Sequence, residues 1–352
     1  MRFKNKHVAV FKYVFFSTLV IILSCNGCDK GSQREIKVAQ EVPVHIFRFD
    51  RELFSLVNKP DSIELGLAQL KRKYGQFYHS YAEDVLNMPL QQNDSLFVKP
   101  MKMLLGYKPM LQLQQAVDSA FPDLTDVETV LSKAISIYKQ SFPEAKLPTF
   151  VAFTSEFGYA NIVFDSAICI GLDMYMNNRF IDYYRAYEFP EFMIRKLNKS
   201  YMAVNAIKAL GISKYEHQTN KDKRFLATMV LEGKIRYFIK ALIPDIHDSL
   251  LMGYTTAQWE WSKQNEAQIW THLIEQQLLY QSEPSQFMRY FNDGPFTSAQ
   301  GVPPESAPMI GTWMGLQMVR AYMQENPDVS LKQLMDDMNP DMILKRSKYR
   351  PQ

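Results

Sequence analysis

Few residues in this chain have the type and spacing to do chemistry. Glu232 stands in an otherwise apolar run, seven residues after Phe225 and three after Met229, with Arg236 four residues further on. On a helix this spacing puts Glu232 on the apolar face and Arg236 one turn away, the arrangement of an internal ion pair. A carboxylate removed from water without a partner is strongly disfavoured or protonates instead, so the pair is the structural reading. A polar residue lining a cavity, or the remnant of a metal ligand, are the functional ones. The six histidines are His7, His45, His79, His217, His247 and His272. No two are three or four residues apart, so no helix face offers a histidine pair to a metal. Gly233-Lys234 lacks the upstream glycine and the following Ser or Thr of a phosphate-binding loop, and no GxGxxG or GxSxG is present. No catalytic residue, metal or cofactor is expected.

Around these residues most of the sequence has helical periodicity. Asp61 precedes Glu64 by three and opens a segment to about Tyr81, with Ile63, Leu67, Leu70 and Tyr74 on one stripe. Thr125 and Glu128 have capping-box spacing and start a helix that Pro143 ends. The texture then turns β-rich over 148–153, 161–164 and 167–170, which predicts a small sheet of a hairpin plus one strand. Helices resume from Pro190 to about Leu210, with Gly211 as the stop. The run from Phe225 to Leu242 is apolar almost all round and reads as a buried helix terminated by Pro244. Further helices are predicted over 256–280 with a break near Asn265, over 308–324, and over 331–338. The fold class is α+β, mainly helical, with a small central β-sheet. Gly311 and Gly315 lie four apart in a helix, where each costs about 1 kcal/mol relative to alanine. That spacing clears a face for a packed backbone or for a partner. Trp259, Trp270 and Trp313 are assigned to the core, with an interface role as the alternative.

The N-terminus carries a different signal. Arg2, Lys4, Lys6 and Lys12 make a basic stretch without acids, and Tyr13 to Leu23 is apolar except for Ser17 and Thr18. The run is too short to span a bilayer and has the length of a secretory leader. It closes on Ser24-Cys25, a small residue followed by cysteine, which resembles the lipobox of bacterial lipoproteins. In those proteins the thiol takes a diacylglycerol, the leader is cut before the cysteine, and an N-acyl chain can follow. Two or three acyl chains anchor stably where one does not. Cys28 competes less well, because Cys25 rather than a branched aliphatic precedes it by three. Only Cys169 then remains in the folded part, which leaves no disulfide within it. The expected organisation is a leader over 1–24, a lipidated Cys25 with a polar tether over 25–44, and one domain over 45–352. Removing four leader cations from a formal net charge of +3 leaves −1. A near-neutral domain gives no electrostatic case for nucleic acid.

Several segments are informative as a pattern. They are Ile168-Cys169-Ile170-Gly171-Leu172-Asp173-Met174-Tyr175, Met229-Val230-Leu231-Glu232-Gly233-Lys234 with Tyr237, and Gly253-Tyr254-Thr255 followed by Trp259. Asn265-Glu266, Ile269-Trp270 and Leu278-Leu279-Tyr280 come next, then Pro295-Phe296-Thr297, Pro308, Gly311-Thr312-Trp313-Met314-Gly315, Val319-Arg320 and Tyr322-Met323. In this order, and with the leader, they resemble the gliding motility lipoprotein GldB family of the Bacteroidetes from about Val44 to the C-terminus. The resemblance implies an envelope lipoprotein needed for gliding, with protein partners in a machinery tied to type IX secretion. It implies no reaction. The periplasmic side of a membrane is favoured over the cell surface.

The family is in turn distantly similar to zincin-like metallopeptidases, whose third zinc ligand is often a Glu followed by Gly, as in Glu232-Gly233. The helix that should supply HExxH reads Tyr201-Met202-Ala203-Val204-Asn205-Ala206-Ile207-Lys208-Ala209, without histidine or glutamate. Zinc hydrolysis needs neutral nitrogen ligands and a base beside the metal-bound water. The kinship would therefore make this a degenerate zincin-like fold. The first reading is a non-enzymatic gliding lipoprotein. The alternatives are a peptide- or ligand-binding lipoprotein using a former peptidase cleft, and a zincin-related hydrolase with an unconventional site.

Overall fold

The computed structural model describes residues 36–88, 96–176 and 180–351; Cys25, Cys28, the expected leader and the first part of the expected tether lie outside them. Four short strands form one sheet in the order β1 (Ile46–Arg48), β2 (Thr149–Phe153), β4 (Ala167–Gly171), β3 (Asn161–Phe164). β1, β2 and β4 are parallel, and β3 returns antiparallel to β4 around Asp165, whose φ of 51° makes the tight turn. β2 and β4 are buried along most of their length, as their near-continuous apolar sequence requires. Among the described residues the longer helices are α1 (Ile63–Tyr74), α2 (Val98–Gly106), α3 (Lys108–Ala120), α4 (Thr125–Ser141), α5 (Met202–Tyr215), α6 (Phe225–Leu242), α7 (Thr256–Gln264), α8 (Glu266–Glu275), α9 (Ile310–Glu325) and α10 (Pro340–Ser347). The protein is mainly helical with a small mixed sheet, the α+β class read from the sequence.

Five local expectations change. β1 was not anticipated. Gly75, at φ 55°, ends α1 at Tyr74, so the first helix does not run on to Tyr81. The segment after Pro190 is a single turn, Glu191–Ile194, and α5 starts only at Met202. Gly211 lies inside α5 rather than stopping it, where a side chain would press on Ile235 and Phe238 of α6. The Thr125/Glu128 capping box does not form: Leu124 is the N-cap, and the Glu128 carboxylate accepts from Ile46 N–H at 2.8 Å instead.

Glu128 belongs to a longer device that also corrects the tether. Val42 N–H donates to Ser136 Oγ at 2.8 Å, Val44 N–H to Ser132 Oγ at 2.9 Å, and Ala39 N–H to Gln140 Oε1 at 3.0 Å. From Val42 to Ile46 the arm advances two residues for every four on α4. Two extended residues rise about 6.6 Å and four helical ones about 6 Å, so the two repeats keep step. Residues 39–44, expected to be tether, are strapped along α4.

α6 is the central helix and lies against α9 through glycines. A Cβ on Gly315 would sit 1.9 Å from the Met229 carbonyl oxygen, and one on Gly233 would sit 2.2 Å from the Gly315 carbonyl. Gly311 is packed beneath Phe291, whose ring would lie 2.6 Å from an added Cβ.

Asp173, just past β4, is fully buried and clamps the turn after β2. Ser155 N–H donates to both of its oxygens at 3.1 Å, and Phe157 N–H donates to Oδ2 at 2.6 Å. These bonds hold Glu156 and Phe157 at φ 55° and 63°, a region that disfavours side chains.

Gly315→Ala is expected to cost about 1–3 kcal/mol in the denaturant midpoint, because backbone cannot give way as a side-chain tip can. Gly106→Ala, with open space around its Cβ, is expected to be neutral or to stabilise by about 0.5–1 kcal/mol. Equal effects at the two positions would contradict the close approach. Burial outweighs the donated hydrogen bonds at Asp173 and pushes its carboxyl up to about 6. The folded state therefore holds more protons than the unfolded one between about pH 4 and 6, and this group's contribution to stability falls as pH rises through that window. The stability of wild type minus that of Asp173→Asn should shrink from pH 4 to pH 7 by on the order of 3 kcal/mol. A gap that stays flat or widens would refute this.

Candidate functional site

α5 and α6 run antiparallel, and the crease between them opens into a groove of about 440 Å3. Its walls include Ile212, Leu231, Ile235, Phe287 and Met288, with Glu232 and Thr228 as polar members from α6. Glu232 is thus a groove residue, its side chain 30% exposed, while the deeply buried member of the expected pair is Arg236 at 4%. The periodicity placed both residues on one side of the helix; it did not say which of the two the neighbouring helix covers. Glu232 Oε2 lies 3.4 Å from Arg236 Nη1, close enough for charge pairing but without a hydrogen bond, and Nη1 has no other hydrogen-bond partner. His217 is exposed and does not line the groove. Among the described residues no three His, Cys, Asp or Glu side chains converge as a metal site would require.

Arg236 sits in a wider group of charges that the sequence reading missed. Ile212 faces Ile235 across the crease. Lys208, one turn before Ile212 on α5, lies near enough to Arg236 and Glu232 to feel both charges. The Arg236 guanidinium, ahead of burial, holds the Lys208 ammonium down to about 8. Lys196 joins from the segment after Glu191–Ile194 and gives Asp293 a two-oxygen ion pair at 2.5 and 2.6 Å. Its stem packs on Gly253, 3.2 Å from the position of a Cβ there. Arg195, its neighbour, donates to Gln258 Oε1 at 3.2 Å. The available sequence signal was Lys208 itself, a lysine in a largely apolar helix, but nothing local marks where its ammonium goes.

Lys234, two residues from Glu232, is fully enclosed and donates to Gln218 Oε1 at 2.8 Å and Asp337 O at 2.6 Å. These bonds tie α6 to the C-terminal segment, which gives Lys234 a structural task. Gly311, Gly315 and Trp313 are buried, so the helix face they clear meets α6 and Phe291 inside the chain. Trp313 is 1% exposed and takes the edge of Trp259 at 4.9 Å between centroids. Trp259 and Trp270 are only partly buried, the latter against Tyr349. Asn205 of α5 donates to the Tyr175 hydroxyl at 3.1 Å, which in turn reaches Asn161 of β3 at 2.5 Å. That chain ties the helix compared with HExxH to the edge strand. Cys169 is a free buried thiol, pushed far up by burial and so inert.

Glu232→Ala removes the carboxylate nearest a buried guanidinium and is expected to cost about 1–3 kcal/mol. The figure is discounted from a fully buried pair because Glu232 reaches solvent. Glu232→Ala/Arg236→Met should recover most of the loss, as a double-mutant cycle in denaturant would show. Strictly additive losses would show that the two charges are uncoupled.

Comparison with known proteins adds one finding. The model of the family described as gliding motility protein GldB matches residues 30–351. No curated protein and no solved structure matches the chain. With residues 30–351 inside the match, the chain belongs to the gliding motility protein GldB family, a family of lipoproteins.

Proposed function

We propose that this protein is a non-enzymatic lipoprotein of the cell envelope, anchored through acyl chains on Cys25, that supports the gliding machinery and the type IX secretion coupled to it. The observation that carries the reading is the extent of the family match, which begins at residue 30, five residues past Cys25, and runs to 351. A leader that ends in Ser24-Cys25 supplies the anchor. Among the described residues no helix is long and apolar enough to cross a membrane. The domain then acts on the periplasmic side through protein partners.

The α5–α6 groove favours a second reading, a ligand- or peptide-binding lipoprotein. Apolar walls with a few placed polar groups are the usual make-up of such sites. The hydrolase reading would need a base and metal ligands around Glu232, and the residues that line its groove offer one other carboxylate, Glu216, and no histidine.

The test is complementation of a deletion strain of a gliding bacterium that carries this gene, scored by colony spreading and by secreted protein. Wild type and Glu232→Ala should restore both, and Cys25→Ala should restore neither while accumulating in the soluble fraction. A deletion that changes neither phenotype would end the proposal. Failure of a stably produced Glu232→Ala protein would shift the weight to the groove.

A further inference from the structure

The N-terminal arm is held at every turn of α4 that it passes. Its backbone amides at Ala39, Val42, Val44 and Ile46 go to Gln140, Ser136, Ser132 and Glu128, so the arm runs antiparallel to the helix. The two serine hydroxyls that accept from it also donate, Ser132 to the Glu128 carbonyl at 2.7 Å and Ser136 to the Ser132 carbonyl at 2.6 Å. Each hydroxyl is thus directed by its own helix before it meets the arm. Ile36, where the described chain begins, lines a groove of about 300 Å3 with Tyr237 and Ala241 of α6, Met323 of α9, Val329 and Leu331.

That groove and the α5–α6 groove lie on opposite sides of α6. Tyr237 and Ala241 line the first, and Thr228, Leu231, Glu232 and Ile235 line the second. At 100° per residue the centres of the two sets are about 150° apart around the helix. Ten residues, 26–35, separate Cys25 from Ile36. Fully extended they reach about 40 Å, and any other conformation is shorter. A domain of about 300 residues is roughly 50 Å across. With the α5–α6 groove laid against a bilayer, Ile36 would stand roughly 45–50 Å above it, farther than the chain from Cys25 extends.

We infer that the arm is an orienting strap: it fixes the side of the domain that meets the membrane, and so turns the α5–α6 groove away from lipid and toward the aqueous compartment. The inference rests on the lipid anchor at Cys25 proposed above. The side that faces the bilayer is the one around Ile36, the C-terminal end of α4 and the turn at 329–331. Whatever occupies the α5–α6 groove then arrives from water, and the anchoring bilayer is excluded as its source. Release of the arm adds ten residues, 36–45, to the span between Cys25 and the domain. That lengthens its reach by about 35 Å, enough for the groove to meet the bilayer.

The test uses the full-length acylated chain in vesicles of phosphatidylethanolamine and phosphatidylglycerol. In a Cys28→Ser background, with Cys169 buried, one fluorophore is attached at one of two positions. These are Lys332→Cys, next to Leu331 of the Ile36 groove, and Lys223→Cys on the rim of the α5–α6 groove. Energy transfer to an acceptor on the lipid head groups should be at least about twofold stronger from position 332, because the two positions differ in height by much of the domain's width. Ile36→Ser/Ser132→Ala/Ser136→Ala should release the arm, read as trypsin cleavage at Lys37, and bring that ratio toward one while the chain still floats with the vesicles. Equal transfer from both positions in wild type, stronger transfer from 223, or an unchanged ratio once the arm is released would overturn the inference. Flotation reads the anchor separately: if Cys25→Ala floats as wild type does, the anchor reading fails and takes this inference with it.

Discussion

The approach of α6 to α9 fixes the rest of the helical layer. Where Gly233 meets Gly315, carbonyl and amide groups of one helix lie in van der Waals contact with the other, with no side chain between them. Contact this close leaves α6 little freedom to rotate about its axis. Residues on a helix step by 100°, so holding Gly233 against α9 sends Glu232 and Lys234 to its two sides. One opens onto the groove, and the other ties down Gln218 and the Asp337 carbonyl. Arg236, one turn on from Glu232, is carried under the cover of neighbouring helices. Two glycines that look costly as helix formers thereby decide where three charges go.

The sheet is organised by polar groups at the carboxyl ends of its parallel strands. Asp50, just past β1, accepts from Arg48 and from Gln114, and Gln114 accepts from Thr154, just past β2. Asp173, just past β4, takes the amides of the turn after β2. Each of these carboxylates has its donors in place, so the network rigidifies the chain ends and asks for no ligand. The contrast with the α5–α6 crease is one of completion. There the Arg236 guanidinium is about as deeply buried, and its Nη1 has no hydrogen-bond partner.

Periodicity and punctuation made the strongest elements legible. The limits of α6, Phe225 and Leu242, agree with the sequence reading, because an apolar run with arginine before it and proline after it leaves little choice. The break at Asn265 and the hairpin at Asp165-Ser166 were equally visible. What escaped depends on partners far away in sequence. β1 has only three residues, and its parallel pairing with β2 is set by the arm that α4 holds in register. The local capping signal at Thr125/Glu128 lost to Ile46, which offers Glu128 an amide from another segment. Gly211 reads as a stop because glycine ends many helices, but here a neighbouring helix needs the missing side chain. In the candidate site the pair expected to be internal is unevenly covered, with Arg236 deeply buried and Glu232 partly exposed. Helical periodicity defines faces; the packing of other helices decides which face is dry.

Lys208 shows why a charge's surroundings can stay silent in a sequence while being plain in a structure. Its residue type, an isolated cation in an apolar helix, is compatible with an exposed stripe, an ion pair or a buried donor. The position of its ammonium follows from the antiparallel crease between α5 and α6, which depends on Gly211, which depends in turn on Ile235 and Phe238. Three segments separated by up to about a hundred residues must come together before the excess of positive charge exists at all. Family membership names a process and passes over this feature, since no motif of conventional spacing marks it. Buried side-chain atoms without a hydrogen-bond partner among the described residues include Arg236 Nη1 beside Glu232, and the packing of α5 on α6, rather than any local motif, puts it there.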